Sequence, residues 1–193
     1  MSAKKLPPGQ RETKRILRWG EDHPTISGFV PSIDLENWTL KIDGEINNSV
    51  TLSWREFANL PMAVSISDFH CVEGWSVLDC RWEGVRFKTI VDLVKTKSNA
   101  KYVTFTCEDN YTTSLALDEL LGDNVILAYK LDGRILEPGL GFPVRLVVPN
   151  KYAYKSALWV RTITFTQEKE LGFWEQCGYS DTADVWKNDR IAE

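Results

Sequence analysis

Residues 68–76, which read Asp-Phe-His-Cys-Val-Glu-Gly-Trp-Ser, carry the side chains best suited to chemistry, because a cysteine stands between a histidine and an acid. The run before Asp68, residues 62–67, alternates apolar and small polar residues as a half-buried strand does. Cys71 is therefore predicted where a strand gives way to a loop, so that the sheet fixes the thiol and the loop leaves it reachable. Its thiolate could bind a soft metal. The alternative is a free thiol that packs as a small buried hydrophobe.

Two patterns in the C-terminal half hold further polar candidates. Residues 141–149 read Gly-Phe-Pro-Val-Arg-Leu-Val-Val-Pro and place Arg145 inside an apolar run. A buried cation is costly unless it is paired, so Arg145 requires either an anionic ligand or a structural salt bridge. Residues 155–160 read Lys-Ser-Ala-Leu-Trp-Val, in which a lysine and a hydroxyl stand side by side. Such a pair can bind an anion.

In this order, the cysteine segment, the Gly-x-Pro-x-Arg-Leu-Val-Val-Pro strand and the Lys-Ser-x-x-Trp-Val turn resemble the sulfite-oxidase-like molybdopterin oxidoreductase family. The opening residues 6–10 and the closing residues 172–186 look like its short, single-domain prokaryotic branch, which is related to the methionine-sulfoxide reductase catalytic subunit. The resemblance covers about residues 6–190. It implies a strand-rich, mixed-sheet, sulfite-oxidase-type molybdopterin-binding fold with short helices.

The cofactor implied by the resemblance is molybdenum, or tungsten, held by a single molybdopterin. Cys71 is then the protein's metal ligand, and Glu73, where the methionine-sulfoxide-reductase branch also has a glutamate, is catalytic as a proton shuttle. A solvated loop acid is the alternative for Glu73. The other positions that the resemblance assigns to cofactor binding are His70, Cys107, Thr112, Leu140, Arg145, Lys155, Ser156, Ala157 and Leu158.

Several of these positions have a second interpretation. Lys155 and Ser156 are expected to form a phosphate-binding turn at the start of a helix, where backbone N–H groups and a hydroxyl meet an anion. Leu140 stands where the family often has a histidine or an asparagine, so another group must make that polar contact. Cys107 stands where the reductase branch has a threonine, and its thiol is a weaker donor than a hydroxyl. Thr112 either repairs that loss or only leads from a turn into a strand.

The chain has two histidines. His70 precedes Cys71 and should point to the opposite face of the extended chain, which favours packing or support of the site over direct catalysis. His23 could meet the pterin from the N-terminal side, but its sequence neighbours do not decide this.

The reaction implied by the resemblance is a two-electron oxo transfer to or from a small substrate, with a separate electron-carrier protein re-equilibrating the metal. The cofactor carries the chemistry and the protein positions it. An oxyanion such as sulfite calls for converging cations, whereas the cysteine loop offers Glu73, so reduction of an S-oxide or N-oxide is favoured over sulfite oxidation. A non-catalytic molybdopterin-binding or electron-transfer module, and a metal-free module with Cys71 as a core thiol, are the other hypotheses.

Length and composition limit the class of protein. A chain of 193 residues with 43% hydrophobic residues can bury one substantial core, and we expect an N-terminal arm, residues 1–20, and one domain, residues 21–193. The net charge is −4 with both signs interspersed, and the basic residues at 4–18 are predicted to lie in a solvated arm, so nucleic-acid binding is not expected.

Targeting and metal-binding patterns are missing from the sequence. No apolar stretch approaches the roughly 20 residues that cross a bilayer, so no membrane segment is expected. The absence of a signal-peptide pattern predicts a cytoplasmic location. The four cysteines lack a Cys-x-x-Cys spacing, which makes a structural zinc site unexpected.

Local patterns predict the elements that position the candidate residues. Ser53 and Glu56 predict a capping box at the start of a short helix, and apolar residues up to Val94 have helical spacing. Residues 80–87 are predicted as a tight turn or hairpin. Strands are predicted at residues 38–42, 50–52, 102–106 and 144–148, and a strand pair over 126–135 with its turn at Asp132-Gly133. Strands that do not alternate regularly with long helices favour an α+β fold.

Overall fold

The computed structural model describes residues 4–192. Residues 1–3 of the predicted arm and residue 193 of the predicted domain lie outside that range. In chain order the strands are β1 (Arg11–Glu12), β2 (Thr39–Gly44), β3 (Val50–Ser53), β4 (Met62–His70), β5 (Trp75–Arg86), β6 (Tyr102–Cys107), β7 (Thr112–Ala116), β8 (Ile126–Leu131), β9 (Arg134–Ile135), β10 (Arg145–Val147) and β11 (Val160–Thr166). The helices are α1 (Trp54–Ala58), α2 (Phe87–Val94), α3 (Leu117–Leu120) and α4 (Phe173–Gln176), with 3-10 turns at Pro138–Leu140 and Ala153–Lys155.

Two mixed sheets form the scaffold. One sheet has the order β3-β2-β11-β6-β7, with β2 and β11 parallel and the other neighbours antiparallel. The other is organised around β5, which pairs with β4 along one side and with β8 along the second half of its other side. β10 extends this sheet beyond β8, and β9 forms a hairpin with β8. Mixed sheets with short helices confirm the α+β prediction.

Two hydrophobic clusters fill the interior. The larger one contains Phe87, Ile90 and Val94, which recur at helical spacing along α2 and are fully buried. The smaller one surrounds Cys71 and includes Phe69 and Trp75. Because β4 and β5 contribute residues to the smaller cluster, the cysteine loop between these strands rests on a packed floor.

Several local predictions are confirmed. The Ser53 side chain accepts a hydrogen bond from the backbone of Glu56, and the Glu56 carboxylate accepts one from the backbone of Ser53 at 2.8 Å. β8 and β9 meet at the Asp132-Gly133 turn, where both residues have positive φ. Both features are fixed by residues close in sequence, which is why the sequence pattern was enough to predict them.

The prediction of a turn or hairpin at residues 80–87 is wrong, because residues 75–86 form one continuous strand. Its polar residue Glu83 is buried, but it forms ion pairs with Arg81 and with Lys130 of β8. Gly84 lies at a bulge where β5 shifts register against β8. The polar residues are thus explained by ion pairs within β5 and with β8, and the glycine by the close approach of the β8 backbone.

The N-terminal segment runs along the surface and is tied to the sheet. β1 pairs in parallel with the start of β5, and Ile16 is buried in the smaller cluster.

No helix among residues 4–192 is long and apolar enough to cross a membrane.

Replacing Gly84 by alanine should destabilise the protein by about 3 kcal/mol, because the new Cβ would lie 2.1 Å from the backbone oxygen of Leu127. Gly122→Ala is the matched control, since its nearest neighbour is the end of the flexible Asn124 side chain, and its cost should stay within about 0.5 kcal/mol. Urea unfolding of both variants measures the difference, and equal midpoints would contradict the close packing of β5 on β8.

Candidate active site

Cys71 occupies the tight turn between β4 and β5. Its backbone N–H donates to the carbonyl of Trp75 at 2.8 Å, and the N–H of Gly74 donates to the carbonyl of Cys71 at 3.0 Å. Gly74 has a φ of +96°, a conformation that favours glycine. The prediction that Cys71 follows the end of a strand is confirmed, since β4 ends at His70.

Both ends of the chain hold this turn. Gln10 donates from its side-chain amide to the carbonyl of Cys71 at 3.0 Å, and Arg190 donates to the carbonyl of Val72. The carboxamide oxygen of Gln10 also accepts a hydrogen bond from the Ser76 hydroxyl at 2.9 Å. The opening and closing segments of the sequence thus have a physical role at the site.

The thiol of Cys71 faces a cavity of about 240 Å³, which we call the cysteine cleft. Six of the residues that line the cleft are tryptophan or tyrosine, and its other polar side chains are His23, Glu73, Asp109 and Ser156. The aromatic residues are Trp19, Tyr111, Tyr154, Trp159, Trp174 and Tyr179. Among residues 4–192, no lysine or arginine lines the cleft. Burial raises the pKa of the Cys71 thiol to about 12, so the thiol is protonated at neutral pH until a cation displaces the proton.

Glu73 lies on the rim of the cleft beside the thiol. Its Oε2 is 3.1 Å from Nε2 of His23, accepts a hydrogen bond from the Trp75 indole at 3.2 Å, and is 4.0 Å from Sγ of Cys71. The Glu73 side chain is half exposed. A carboxylate in this position can exchange protons with water and still reach a group bound next to the thiol.

Asp109 is a buried acid that the sequence analysis did not single out. It lies in the connection between β6 and β7 and is only 5% exposed. Its Oδ1 accepts a hydrogen bond from the backbone of Tyr111 at 3.1 Å, and burial raises the pKa of the carboxyl above its ordinary value. In sequence it is indistinguishable from an ordinary turn aspartate; only the folding of this connection onto the cleft reveals it.

The segment from Ser156 to Leu158 forms another wall of the cleft. The Ser156 hydroxyl accepts a hydrogen bond from the backbone of Val148 at 3.0 Å. Within residues 4–192, the backbone N–H groups of Ala157 and Leu158 have no hydrogen-bond acceptor. Adjacent unpaired N–H groups form a favourable place for an anion.

Lys155 lies away from the cleft, in contrast to the predicted phosphate contact. Its ammonium group is fully buried and donates to the carboxylate of Glu175, to the carbonyl of Ser114 at 2.9 Å and to Asp181 at 3.3 Å. Desolvation lowers the pKa of Lys155. No helix starts here: Lys155 is the last residue of a 3-10 turn. The predicted helix start is therefore wrong, and the lysine joins the C-terminal segment to the cleft wall.

Arg145 lacks the structural salt bridge that was one of the two alternatives for its burial, as far as residues 4–192 show. Its guanidinium donates to the carbonyls of Leu140 at 3.1 Å and Ser156 at 3.3 Å, and lies over the rings of Phe69 at 4.9 Å and Trp82 at 5.2 Å. Its Nε has no partner, and no carboxylate among residues 4–192 forms an ion pair with it. Desolvation lowers the pKa of Arg145 to about 10. Carbonyl dipoles and aromatic faces hold this cation in place.

The structure brings Cys71, Glu73, Ser156 and Leu158 together in the cleft, and it leaves the other predicted cofactor residues outside its wall. His70 is buried with Nδ1 2.7 Å from the Ser76 hydroxyl, as in the packing alternative. Cys107 lies in the larger core, where burial raises the pKa of its thiol well above the usual value. Thr112 starts β7 and Leu140 ends a 3-10 turn beside a different groove. Ala157 contributes its backbone next to the wall.

A family model described as "oxidoreductase molybdopterin binding domain" matches residues 27–174. The chain belongs to this family. The oxidoreductase and molybdopterin-binding character predicted from the sequence is thereby confirmed, while the opening segment and the end of the closing segment lie beyond the matched residues.

Individual relatives also match this chain, and one of them matches nearly its whole length. The chain is 39% identical over 189 residues to the uncharacterized oxidoreductase YuiH of Bacillus subtilis (strain 168), covering 97% of this chain and 92% of that protein. It is 32% identical to the putative protein-methionine-sulfoxide reductase subunit YedZ1 of Azospira oryzae, over 78% of this chain and 57% of the relative. It is 31% identical to the protein-methionine-sulfoxide reductase catalytic subunit MsrP of Campylobacter jejuni, over 78% of this chain and 56% of the relative.

The fold is shared with the sulfane dehydrogenase SoxCD from Paracoccus pantotrophus. The two structures align with a TM-score of 0.68 and 17% sequence identity over 73% of this chain and 41% of that chain. At this identity the likeness shows the fold alone, and it confirms the predicted sulfite-oxidase-type architecture.

Glu175→Leu should lower the free energy of unfolding by about 3 kcal/mol, because the buried charge of Lys155 loses its closest partner. The double variant Lys155→Met/Glu175→Leu should recover most of this loss, since it removes both buried charges. Urea unfolding of the wild type, both single variants and the double variant measures the coupling. A double variant no more stable than Glu175→Leu would contradict the assignment of Lys155 to a buried ion pair.

Proposed function

We propose that this protein is a reductase that uses molybdenum, bound by one molybdopterin, to remove oxygen from a neutral S-oxide or N-oxide. The observation that carries the proposal is the polarity of the cysteine cleft, which combines the Cys71 thiol with Glu73 and Asp109 and lacks a cationic side chain among the described residues. The balanced reaction for an S-oxide consumes two electrons and two protons and releases a sulfide and water.

The residues of the cleft fit the proposed cofactor. Cys71 supplies the soft thiolate that such a metal prefers, and aromatic side chains form walls against which a flat heterocycle can stack. Asp109 accepts only a hydrogen bond from its own turn among the described residues, so it can accept further ones from the N–H groups of a pterin. The unpaired N–H groups of Ala157 and Leu158 suit a phosphate.

The bound cofactor would supply the two-electron oxo transfer, and the chain's own residues would bind, orient and protonate the reactants. Glu73 is the acid within reach of the thiol, and the hydrogen bond from the Trp75 indole holds one carboxylate oxygen in place. Its other face meets solvent, so it can carry a proton from water to the substrate oxygen that leaves.

The same polarity argues against sulfite as the substrate. Lys155 and Arg145 lie next to Ser156 of the cleft wall, the first in sequence and the second through a hydrogen bond to its carbonyl. Both cations are fully buried and engaged by carbonyls, rings or carboxylates. Removing either from its partners would leave those partners unsatisfied. A dianion would therefore face two acids in a wall that has no lysine or arginine among the described residues, whereas a neutral oxide meets aromatic side chains and a proton donor.

The names of two relatives agree with reduction as the direction of the reaction, since both are described as protein-methionine-sulfoxide reductase subunits. The chain spans only 57% and 56% of those two proteins, so the substrate remains our proposal for this chain. We also propose that the electrons come from a separate carrier protein.

Cys71→Ala should abolish metal binding in protein produced by a cofactor-competent host. Elemental analysis by plasma mass spectrometry should find close to one molybdenum per wild-type chain and less than about a tenth of that in the variant, because the protein's only proposed metal ligand is lost. Cys80→Ala is the matched control: it is also a buried free thiol but does not line the cleft, so it should keep its metal. Equal metal in Cys71→Ala and wild type would sink the ligand assignment.

Substrate preference tests the direction of the reaction. With a reduced viologen as artificial donor, the holoprotein should turn over methionine sulfoxide or trimethylamine N-oxide, and sulfite oxidation with an artificial acceptor should be at least about a hundredfold slower. Faster oxidation of sulfite than reduction of either oxide would contradict the proposal.

Glu73→Gln should lower kcat for the oxide by about 10²-fold with little change in KM, because it removes the proton donor and keeps the size and shape of the side chain.

A further inference from the structure

A second depression, which we call the arm groove, lies beside the N-terminal segment. It has a volume of about 400 Å³ and is lined by residues from the segments 14–18 and 131–140 together with Val77 and Cys80 of β5. None of its lining residues belongs to the wall of the cysteine cleft. The groove is therefore a separate surface from the cleft proposed to bind cofactor and substrate.

The arm groove is basic on a chain that is acidic overall. Four basic residues line it against two acidic ones, which gives it a net charge of +2, while the chain has −4. Arg15 pairs with Asp22, and Arg18 pairs with Glu137. Lys14 and Arg134 are exposed, and neither forms an ion pair with any residue from 4 to 192. The two cations are thus free to attract an acidic partner.

The groove also presents apolar surface. Ile135 is 63% exposed, and beneath it Ile16, Leu136 and Leu140 form a buried floor. A small inorganic anion would gain no binding energy from contact with the apolar side chain of Ile135. An apolar centre with a charged rim is instead typical of a surface that docks another protein.

The position of the groove beside the hydrophobic cluster of Cys71 suits a protein that carries electrons. Cys80 and Leu140 line the groove and belong to the same hydrophobic cluster as Cys71. The rings of Trp82 and Phe69 lie 5.8 Å apart in this cluster, and those of Phe69 and Trp75 lie 6.2 Å apart. Electron tunnelling slows steeply with distance, so a carrier must dock where little protein separates it from the metal. A partner in the groove would be separated from Cys71 by this one cluster.

We propose that the arm groove is the docking surface for a small acidic protein that carries one electron at a time. This inference rests on the proposed function, which needs two electrons for each oxide reduced. Two reduced carrier molecules dock in turn, each loses one electron and leaves oxidised, and two protons from solvent complete the water that is released. Docking here leaves the mouth of the cysteine cleft free for substrate throughout.

Charge reversal at the two unpaired cations tests the docking surface. The probes are a plant-type [2Fe–2S] ferredoxin as the acidic carrier and cytochrome c as a basic protein of similar size. Titration calorimetry with the holoprotein at low salt should show ferredoxin binding that weakens as salt is added, and no cytochrome c binding. Lys14→Glu/Arg134→Glu should raise the Kd for ferredoxin at least tenfold, because it places negative charge against an acidic partner.

The matched control is Lys88→Glu/Lys101→Glu, which makes the same change in net charge at two exposed lysines outside the groove. Its Kd for ferredoxin should stay within about twofold of wild type, because distant surface charges are screened. Equal weakening by the control, or wild-type binding to vesicles of anionic phosphatidylglycerol as tight as to ferredoxin, would overturn the assignment of a carrier to this groove. Absence of ferredoxin binding by the wild type would also overturn it.

Activity with reduced viologen separates this inference from the proposed function. A viologen reaches the metal without docking in the groove, so both double variants should reduce the oxide at the wild-type rate. Normal viologen-driven activity together with no ferredoxin binding defeats the docking surface alone. Salt-sensitive, groove-dependent ferredoxin binding by a protein that reduces no oxide supports the docking surface and defeats the proposed substrate.

Discussion

The site depends on hydrogen bonds that fix the backbone of the cysteine turn. A thiol that binds metal must be held in one position, and a side chain with a single rotatable bond can only be as fixed as its backbone. Here the carbonyl of Cys71 accepts from Gln10 and from Gly74, and its N–H donates to Trp75. Arg190 holds the next carbonyl, that of Val72. Segments from the two ends of the chain thus meet at the turn, and the two strands that flank it supply a rigid base.

A second constraint is the cost of burying cations. Lys155 lies within the wall segment 153–158, Arg145 contacts that segment at the carbonyl of Ser156, and both cations are removed from water. Each is stabilised within the protein: the first by carbonyls and aromatic faces, the second by Glu175 and Asp181. Lys155 is neutralised by carboxylates, and the paired N–H groups of Arg145 point to backbone carbonyls, so neither side chain contributes a cationic donor to the cleft lining. The ionisable groups that do face the cleft are left to set its polarity, and those include two acids.

The parts of the fold that were predictable from sequence are those fixed by near neighbours along the chain. The end of β4 just before Cys71, the capping box at Ser53 and the turn at Asp132-Gly133 each follow from residues within a few positions of one another. The pattern at residues 80–87 predicts a turn wrongly, because Glu83 and Gly84 are there for contacts with β8. Their partners on that strand lie more than forty positions away in sequence. The same limit applies at the site: Lys155 has its partner twenty positions downstream, and the rings against Arg145 come from β4 and β5.

The electrostatic contrast between the two depressions bears on how the proposed reductase would handle two kinds of partner. The cysteine cleft presents Glu73 at its rim, and the arm groove presents Lys14 and Arg134. The proposed acidic carrier would be repelled by the first and attracted by the second, while a neutral oxide would respond to neither field and would be selected by contacts with the aromatic side chains. If both partners used the cleft, each reduction would require substrate and carrier to exchange places. Separate surfaces that both contact one hydrophobic cluster would remove that competition, because in the proposed arrangement the cluster transmits electrons while it excludes water and substrate.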